Sequence, residues 1–397
     1  MIKKSDKNRT NKNKKHHEDT DLVHWGRDPR AHGGVVNPPV VKTSSILYDN
    51  LAQYYEPAYR YGRNGTALSR SLEEAITHLQ GGFGAITASS GLGAITTAIV
   101  SFLKAGDHML ITDAVYPPVR SFCDAVLARM GVDVEYYDPL VGAGIEKLFR
   151  KNTALLYMES PGTGIFDVMD VPAFTKAARK HRIVTLFDDS WSGGVLFKPL
   201  QHGVDVVVQS LTKYVGGHSD IMLGAAIAAN EKLYNILRKT ADDIGVCGGS
   251  DEMFLALRGL RTIKLRFRQH EENALKVARW LQKHPAIKRV YYPALPDHDT
   301  HAIWKRDYTG ANGLLSILLH PVTDKKLHAF VDSLALFPVA NSWGGYESLL
   351  QPQKMHNRSA MKWKEKGALL RLHIGLEDPS DLIADLEQGL TKLTSKN

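Results

Sequence analysis

Six short apolar runs recur along the first part of the chain: AITAS at 85–89, HMLIT at 108–112, DVEYY at 133–137, ALLYM at 154–158, IVTLF at 183–187 and DVVVQ at 205–209. Stretches with helical spacing separate them. Apolar runs of this length, alternating with helices, predict parallel strands covered on both faces. The last third reads differently. Residues 264–283, KLRFRQHEENALKVARWLQK, predict a long amphipathic helix. GLLSILLH at 313–320 and RLHIGL at 371–376 read as strands. PSDLIADLEQGLTKL closes the pattern as a helix, with Leu382, Ile383, Leu386 and Leu390 on one stripe. Mixed helices and strands without the βαβ rhythm predict a separate α+β unit. The pattern therefore divides the chain into a polar tail (1–20), an arm without helical period (21–65), an α/β domain (66–259) and a smaller C-terminal α+β domain (260–397). No internal repeat is evident.

Charge and composition change this picture in two places. The chain carries a net charge of +8, and residues 1–20 hold seven Lys or Arg against three acids. A like-charged, apolar-poor stretch cannot form a core, so disorder is expected there. It lacks the apolar stretch of a secretory signal. Residues 81–103 carry no charge and are long enough to span a bilayer. They hold five Gly and six Ser or Thr, so a strand, a turn and a buried helix explain them better. No membrane association is expected, and no nucleic-acid partner. The two cysteines, Cys123 and Cys247, can build neither a disulfide framework nor a Cys-rich metal site. A reducing, cytoplasmic location without a metal is the expectation.

Open α/β sheets bind ligands beyond the carboxyl ends of their strands, so the residues that follow each run carry the chemistry. After AITAS come Ser90, Gly91, Leu92 and Gly93, opening a helix. Small residues there let backbone amides approach a phosphate. After HMLIT comes Tyr116 ahead of two prolines, a ring held ready to stack on a flat ligand. After IVTLF comes Asp188, a carboxylate that could pair with a protonated pyridine nitrogen. After DVVVQ come Ser210, Leu211, Thr212 and Lys213. A partly desolvated lysine has a lowered pKa and can attack a carbonyl, while the flanking hydroxyls can donate to a phosphate. Each feature is weak alone. Together and in this order they point to pyridoxal 5'-phosphate, held by Lys213 as a Schiff base. A rival from another class uses Gly91-x-Gly93-x-x-Thr96 with Asp113 as a dinucleotide fingerprint of a nicotinamide dehydrogenase. Its third glycine is missing, and it leaves Lys213 and Asp188 unexplained. A non-catalytic basic binding protein is the remaining alternative.

The same residues, with Tyr61-Gly62-Arg63, ESPGT at 159–163, FDDSW at 187–191, QSLTKYVGGHSD at 209–220, RGLRT at 258–262, SWGGYES at 342–348 and RLHIGLED at 371–378, resemble the transsulfuration family of fold-type I pyridoxal-phosphate enzymes. The resemblance runs from about His24 to the C-terminus. It implies a mostly parallel seven-stranded sheet flanked by helices, with a smaller second domain. It implies that Lys213 and Tyr116 act in catalysis. The cofactor would be held by Gly91, Leu92, Tyr116, Asp188, Ser210, Thr212 and Lys213, and by Tyr61 and Arg63 reaching in from a neighbouring subunit of a homotetramer. Ser342 and Arg371 would take the carboxylate of an amino-acid substrate, with Trp343 at its edge. The implied reaction is β-elimination of L-cystathionine to homocysteine, pyruvate and ammonia in methionine biosynthesis. Elimination or synthesis at the γ-carbon is the alternative within the family. One position departs from the pattern: Phe254 stands where close relatives would carry a tyrosine.

Overall fold

A computed structural model describes residues 16–355 and 358–394. Seven strands form the main sheet: β1 (Gly84–Ala88), β2 (His108–Thr112), β3 (Asp133–Tyr137), β4 (Thr153–Glu159), β5 (Val184–Asp188), β6 (Val206–Ser210) and β7 (Gly224–Ala228), in the order β1-β7-β6-β5-β4-β2-β3. The pairings β3–β2–β4–β5–β6 are parallel, and β7 alone runs against both its neighbours. The central strands are buried on both faces, which is why they read as continuous apolar runs. Helices cover both sides. Ala67–Gln80 packs a Leu68, Leu72, Ile76 and Leu79 stripe against one face, and Gly91–Ser101 sends Ile95 and Ile99 into the core on the other. The α/β class and the seven-stranded, mostly parallel sheet thus match the expectation.

The six apolar runs became β1–β6, but β7 was not legible in the sequence. Its GAAIA holds a single β-branched residue, Ile227, and no aromatic, too little to mark a strand. Its first residue, Gly224, serves a close approach instead. A side chain on Gly224 would meet the Ser90 carbonyl oxygen at 2.2 Å.

The second sheet is antiparallel throughout, β10 (Leu349–Gln353), β11 (Leu369–His373), β9 (Leu314–Leu319) and β8 (Ile287–Tyr291) in spatial order. The long helix expected at 264–283 is observed at Ile263–Leu281, and the closing helix at Pro379–Thr394. Among the described residues, no helix is long and apolar enough to cross a membrane.

The expected tail boundary at residue 20 falls inside a structured element. Glu18–Leu22 is a helical turn with Leu22 buried. Glu18 pairs with Lys198 (2.6 Å) and Lys264 (3.0 Å), and Asp19 with Lys264 (2.7 Å) and Arg268 (3.1 Å). Burial raises the Glu18 pKa, but the two lysines outweigh it and hold the carboxyl below its ordinary value. Two of the three acids of residues 1–20, Glu18 and Asp19, thus anchor the chain together with Leu22 just beyond them. Residues 1–15 lie outside the described part of the chain.

Candidate active site

Parallel strands end on one edge of the sheet, and that edge gathers most of the candidate residues. Lys213 sits in the loop between β6 and β7, with its amide on the Ser210 carbonyl (3.1 Å) and its own carbonyl accepting from Gly217 N–H (2.8 Å). Its Nζ donates to Ser342 Oγ at 2.6 Å and stands 5.3 Å from the centre of the Trp343 ring. Burial, and after it the Arg371 guanidinium, bring the Lys213 pKa down to about 8; Asp188 acts in the opposite sense. A fraction of this amine is therefore neutral near pH 7, as a nucleophile or proton acceptor requires.

Asp188 ends β5 and is buried. It accepts from Ser190 N–H (2.9 Å) and, at 3.4 Å, from the Tyr157 hydroxyl. Burial nonetheless raises its pKa. Among the described residues no cation pairs with it at salt-bridge distance. Asp189 beside it is tied by Gln80 Nε2 (2.7 Å), Gly194 N–H (2.8 Å) and the Ser192 hydroxyl, and burial pushes it up to about 7. These bonds fix the turn from which Asp188 projects.

The helix Gly91–Ser101 begins beside β6. Ser90 Oγ caps it by accepting from Gly93 N–H at 3.0 Å. The amides of Gly91 and Leu92 have no acceptor among the described residues. A Cβ on Gly91 would lie 2.6 Å from Ser210 Cβ and Oγ, so only glycine brings this turn against β6. Two free amides at a helix N-terminus beside a serine hydroxyl make a cradle for a phosphate. The Thr212 hydroxyl is turned away toward the residue before β7, where it accepts from Leu223 N–H (3.0 Å) and donates to Leu223 O (3.2 Å). The cradle, the unpaired carboxylate of Asp188 and the amine of Lys213 fit a phosphorylated, cationic, aldehyde-bearing ring.

Tyr116 follows β2 and lines a cavity of about 990 Å³ together with Lys213, Ser342, Trp343 and Arg371. Its ring is 45% exposed, so one face is free to stack. Its amide is held by Glu159 at 2.8 Å. Arg371, on β11, donates to the Ser342 carbonyl at 2.8 Å and has no carboxylate within salt-bridge distance among the described residues. Burial lowers its pKa to about 10. A desolvated guanidinium without an anion is a site for a substrate carboxylate. Ser342 has φ +87°, uncommon for a residue with a side chain and worth roughly 1–3 kcal/mol of strain.

The single chain does not bring Tyr61 and Arg63 to Lys213. Arg63 donates to the Asp242 carbonyl at 2.9 Å, and both residues line a separate hollow of about 250 Å³ with Arg238 and Cys247. Phe254 is partly buried against the main core.

Two groups of site residues were missed. Glu159, at the end of β4, accepts from Thr163 Oγ1 (2.6 Å) as well as from Tyr116 N–H, and burial, with Asp188 second, pushes it up to about 8. Asp113 was read only as the ribose acid of the rival fingerprint. Its carboxylate instead accepts from the amides of Ser359, Ala360 and Met361, each at 2.9 Å, and from Arg120 at 2.5 Å. It pins the segment between β10 and β11 over the cavity. Arg358 doubles this fastening through Asp167 (3.0 Å) and the Thr163 carbonyl (2.7 Å). No local signal could have found a contact spanning this much sequence. A carboxylate so saturated is not available to a ribose.

Comparison with known proteins points to the same cofactor. Residues 19–391 match the family model described as Cys/Met metabolism PLP-dependent enzyme. The chain is 40% identical to the cystathionine beta-lyase of Escherichia coli over 389 residues, covering 94% of this chain and 98% of that one. It is 40% identical to the cystathionine beta-lyase of Haemophilus influenzae over 388 residues, with the same coverage of each chain. Among solved structures, the cystathionine gamma synthase of Xanthomonas oryzae pv. oryzae superposes with a TM-score of 0.90 at 32% identity, over 96% of this chain and 99% of that one.

Proposed function

The chain belongs to the Cys/Met metabolism family of pyridoxal-phosphate-dependent enzymes, and from that premise we propose that it is a carbon–sulfur lyase that splits L-cystathionine by β-elimination. One observation carries the reading: an amine with a depressed pKa lines one cavity with a guanidinium that, among the described residues, has no carboxylate partner, and a buried carboxylate without a cation acts on the same amine. That set suits an amino-acid substrate joined to a cationic ring.

Bound there, pyridoxal 5'-phosphate supplies an electron sink that lets the Cα–H bond of an amino acid break heterolytically. The remaining roles belong to the chain. Lys213 would hold the cofactor covalently, the Gly91 and Leu92 amides with Ser210 its phosphate, Asp188 its pyridine nitrogen and the Tyr116 ring its face. Thr212 reaches the phosphate only if its hydroxyl leaves Leu223. Arg371 and Ser342 would bind the substrate carboxylate and so aim the Cα–H bond at Lys213 Nζ, which takes the proton as a free amine, its place on the cofactor ceded to the substrate's amine. Breaking the Cβ–S bond then needs a proton for the departing thiolate, and Lys213 or the Tyr116 hydroxyl is placed to give it. Homocysteine leaves, and the three-carbon enamine takes up water to give pyruvate and ammonia. Trp343, packed on Tyr214 with ring centres 5.5 Å apart, narrows the room for the sulfur-bearing arm.

The assembly and location form part of the same reading. The arm exposes Leu47, Leu51, Tyr54, Tyr55 and Tyr61, an apolar surface that suits burial against a second copy. Tyr61 and Arg63 would then reach the neighbour's cofactor phosphate, in a homotetramer of two-fold symmetry working in the cytoplasm. Residues 66–259 would form the cofactor domain and 260–397 the second domain.

Product analysis tests the assignment. Pyruvate with homocysteine is the expected outcome from L-cystathionine. Mainly 2-oxobutyrate with cysteine would move the chain to γ-chemistry and leave the cofactor assignment standing.

A further inference from the structure

Behind the Lys213 cavity lies a buried pair of histidines that the reaction above does not use. His373 ends β11, two residues after Arg371 and directly across from Leu349 of β10. It is 1% exposed. Its Nε2 lies 3.1 Å from the Gly344 amide nitrogen and 3.1 Å from the Gly345 carbonyl oxygen. Its ring packs 5.1 Å from that of His270 and 6.0 Å from that of Tyr214, the residue after Lys213. A side chain on Gly313 would come within 3.0 Å of His373 Nδ1 and Cε1, so the niche has no slack.

The loop that His373 touches is the one that carries the carboxylate site. Gly344 has φ +88°, and a Cβ there would stand 2.9–3.1 Å from Tyr214 N and from Lys213 C and Cα. The loop therefore lies directly on the backbone of Lys213. Two residues back, Ser342 joins Lys213 Nζ through its hydroxyl and Arg371 through its carbonyl.

We propose that His373 is the positioning residue of the carboxylate clamp: as a neutral ring it holds Gly344 through Nε2, and with it Ser342 against Lys213 and Arg371, while His270 fixes its tautomer. The inference rests on the reading of Arg371 and Ser342 as the carboxylate site. The tautomer follows from counting partners. One ring nitrogen cannot both accept from Gly344 N–H and donate to Gly345 O. His270 Nδ1 lies 2.9 Å from the Ile374 carbonyl, which can only accept, so it carries the hydrogen and its Nε2 is a bare lone pair. His270 Nε2 and His373 Nδ1 are both buried without a partner. With the hydrogen on His373 Nδ1, Gly344 N–H meets an acceptor, and the His270 ring, 5.1 Å away between centres, sets no second N–H against it. With the hydrogen on Nε2, two N–H groups would face each other and two lone pairs would be buried bare. A protonated ring would set a donor against Gly344 N–H. His373 touches neither substrate nor cofactor and acts only through the loop.

Three variants of the holoenzyme test this, each checked for fold by circular dichroism and for cofactor by its absorption. Loss of one buried hydrogen bond should raise KM for L-cystathionine roughly tenfold in His373→Leu, with kcat changed less than about threefold. The same variant should bind 3-(methylthio)propionate, which has the carboxylate and thioether without the α-amine, about tenfold more weakly by calorimetry. His373→Gln sets a carbonyl oxygen near the place of Nε2 and should recover both quantities to within about threefold. His270→Asn keeps the donor to Ile374 and removes the lone pair, and should raise KM about twofold to threefold. Folded His373→Leu with wild-type KM and wild-type analogue binding overturns the inference, as does folded His373→Gln no better than His373→Leu. Should His373→Leu not fold, folded His270→Asn with wild-type values overturns it. Failure of the functional reading looks different: the wild-type protein itself would release no pyruvate from L-cystathionine.

Discussion

The two sides of the site are built by different means. On the sheet side, Lys213, Asp188 and the Gly91 turn are held by strand ladders and by backbone bonds between residues close in sequence. On the opposite side, Ser342, Arg371 and the segment after β10 are held by side chains reaching across the chain: Asp113 to Ser359–Met361, Arg358 to Asp167, His373 to Gly344. The first wall is as rigid as the sheet. The second depends on a few side-chain bonds, each of which one substitution can remove. A change in the sheet wall should therefore strike chemistry, and a change in the clamped wall should strike substrate binding.

The largest expected effect breaks the sheet wall. Lys213→Ala should abolish turnover, a loss of at least about a thousandfold, since nucleophile and proton acceptor go together. Melting temperature should hardly change, because the Nζ makes one hydrogen bond and the loop keeps its backbone contacts. In wild-type protein stripped of cofactor, capture of added pyridoxal phosphate should rise with pH around a midpoint near 8. Steady-state assays and absorbance titration check both parts.

Asp113→Asn attacks the clamped wall. KM should rise roughly tenfold with kcat nearly intact, as a charge-assisted fastening is lost. Burial raises the Asp113 pKa, but the amides of Ser359 and Met361 and the Arg120 guanidinium outweigh it and hold it below its ordinary value. A depressed carboxylate stabilises fully above its unfolded pKa, about 3.9, and that stability is lost as pH falls through the folded value. Wild-type KM should thus show no effect of this clamp at neutral or mildly acid pH. Acid unfolding should begin at higher pH in the asparagine variant.

The smallest effects sharpen the comparison far from the cavity. Removal of residues 1–15 should leave melting temperature and KM unchanged. Removal of residues 1–22 also takes away buried Leu22 and the Glu18 and Asp19 pairs, and should cost about 2–4 kcal/mol, a shift of a few degrees. Calorimetry of the two truncations decides it.

The same division explains what the sequence revealed. Elements of the sheet wall announce themselves locally: apolar runs with helices between them gave β1–β6, and the residues after those runs named Lys213, Asp188, Tyr116 and the Gly91 turn. Ser342, Trp343 and Arg371 came from the family resemblance, since nothing local links Ser342 to Lys213 across the chain. Strand β7 hid because its alanines carry no strand signal and its first position is a glycine fitted against the Ser90 turn. Asp113 was visible, yet its partners at 359–361 were not, because pairing of a carboxylate with distant amides leaves no periodicity. Glu159 stands in the ESPGT segment without a visible role, since burial cannot be read from the residue alone.

The three backbones stacked at Ser210, Gly91 and Gly224 have a consequence for how this chain can vary. A methyl group at Gly91 would collide with Ser210, and one at Gly224 with the Ser90 carbonyl. Mutational drift at either position is blocked before any ligand arrives. A library screened only for soluble folded protein, with no demand for turnover, should return glycine at 91 and 224. Invariance at these two sites would then record backbones in contact, and a tally of unchanging residues would misfile it as chemistry.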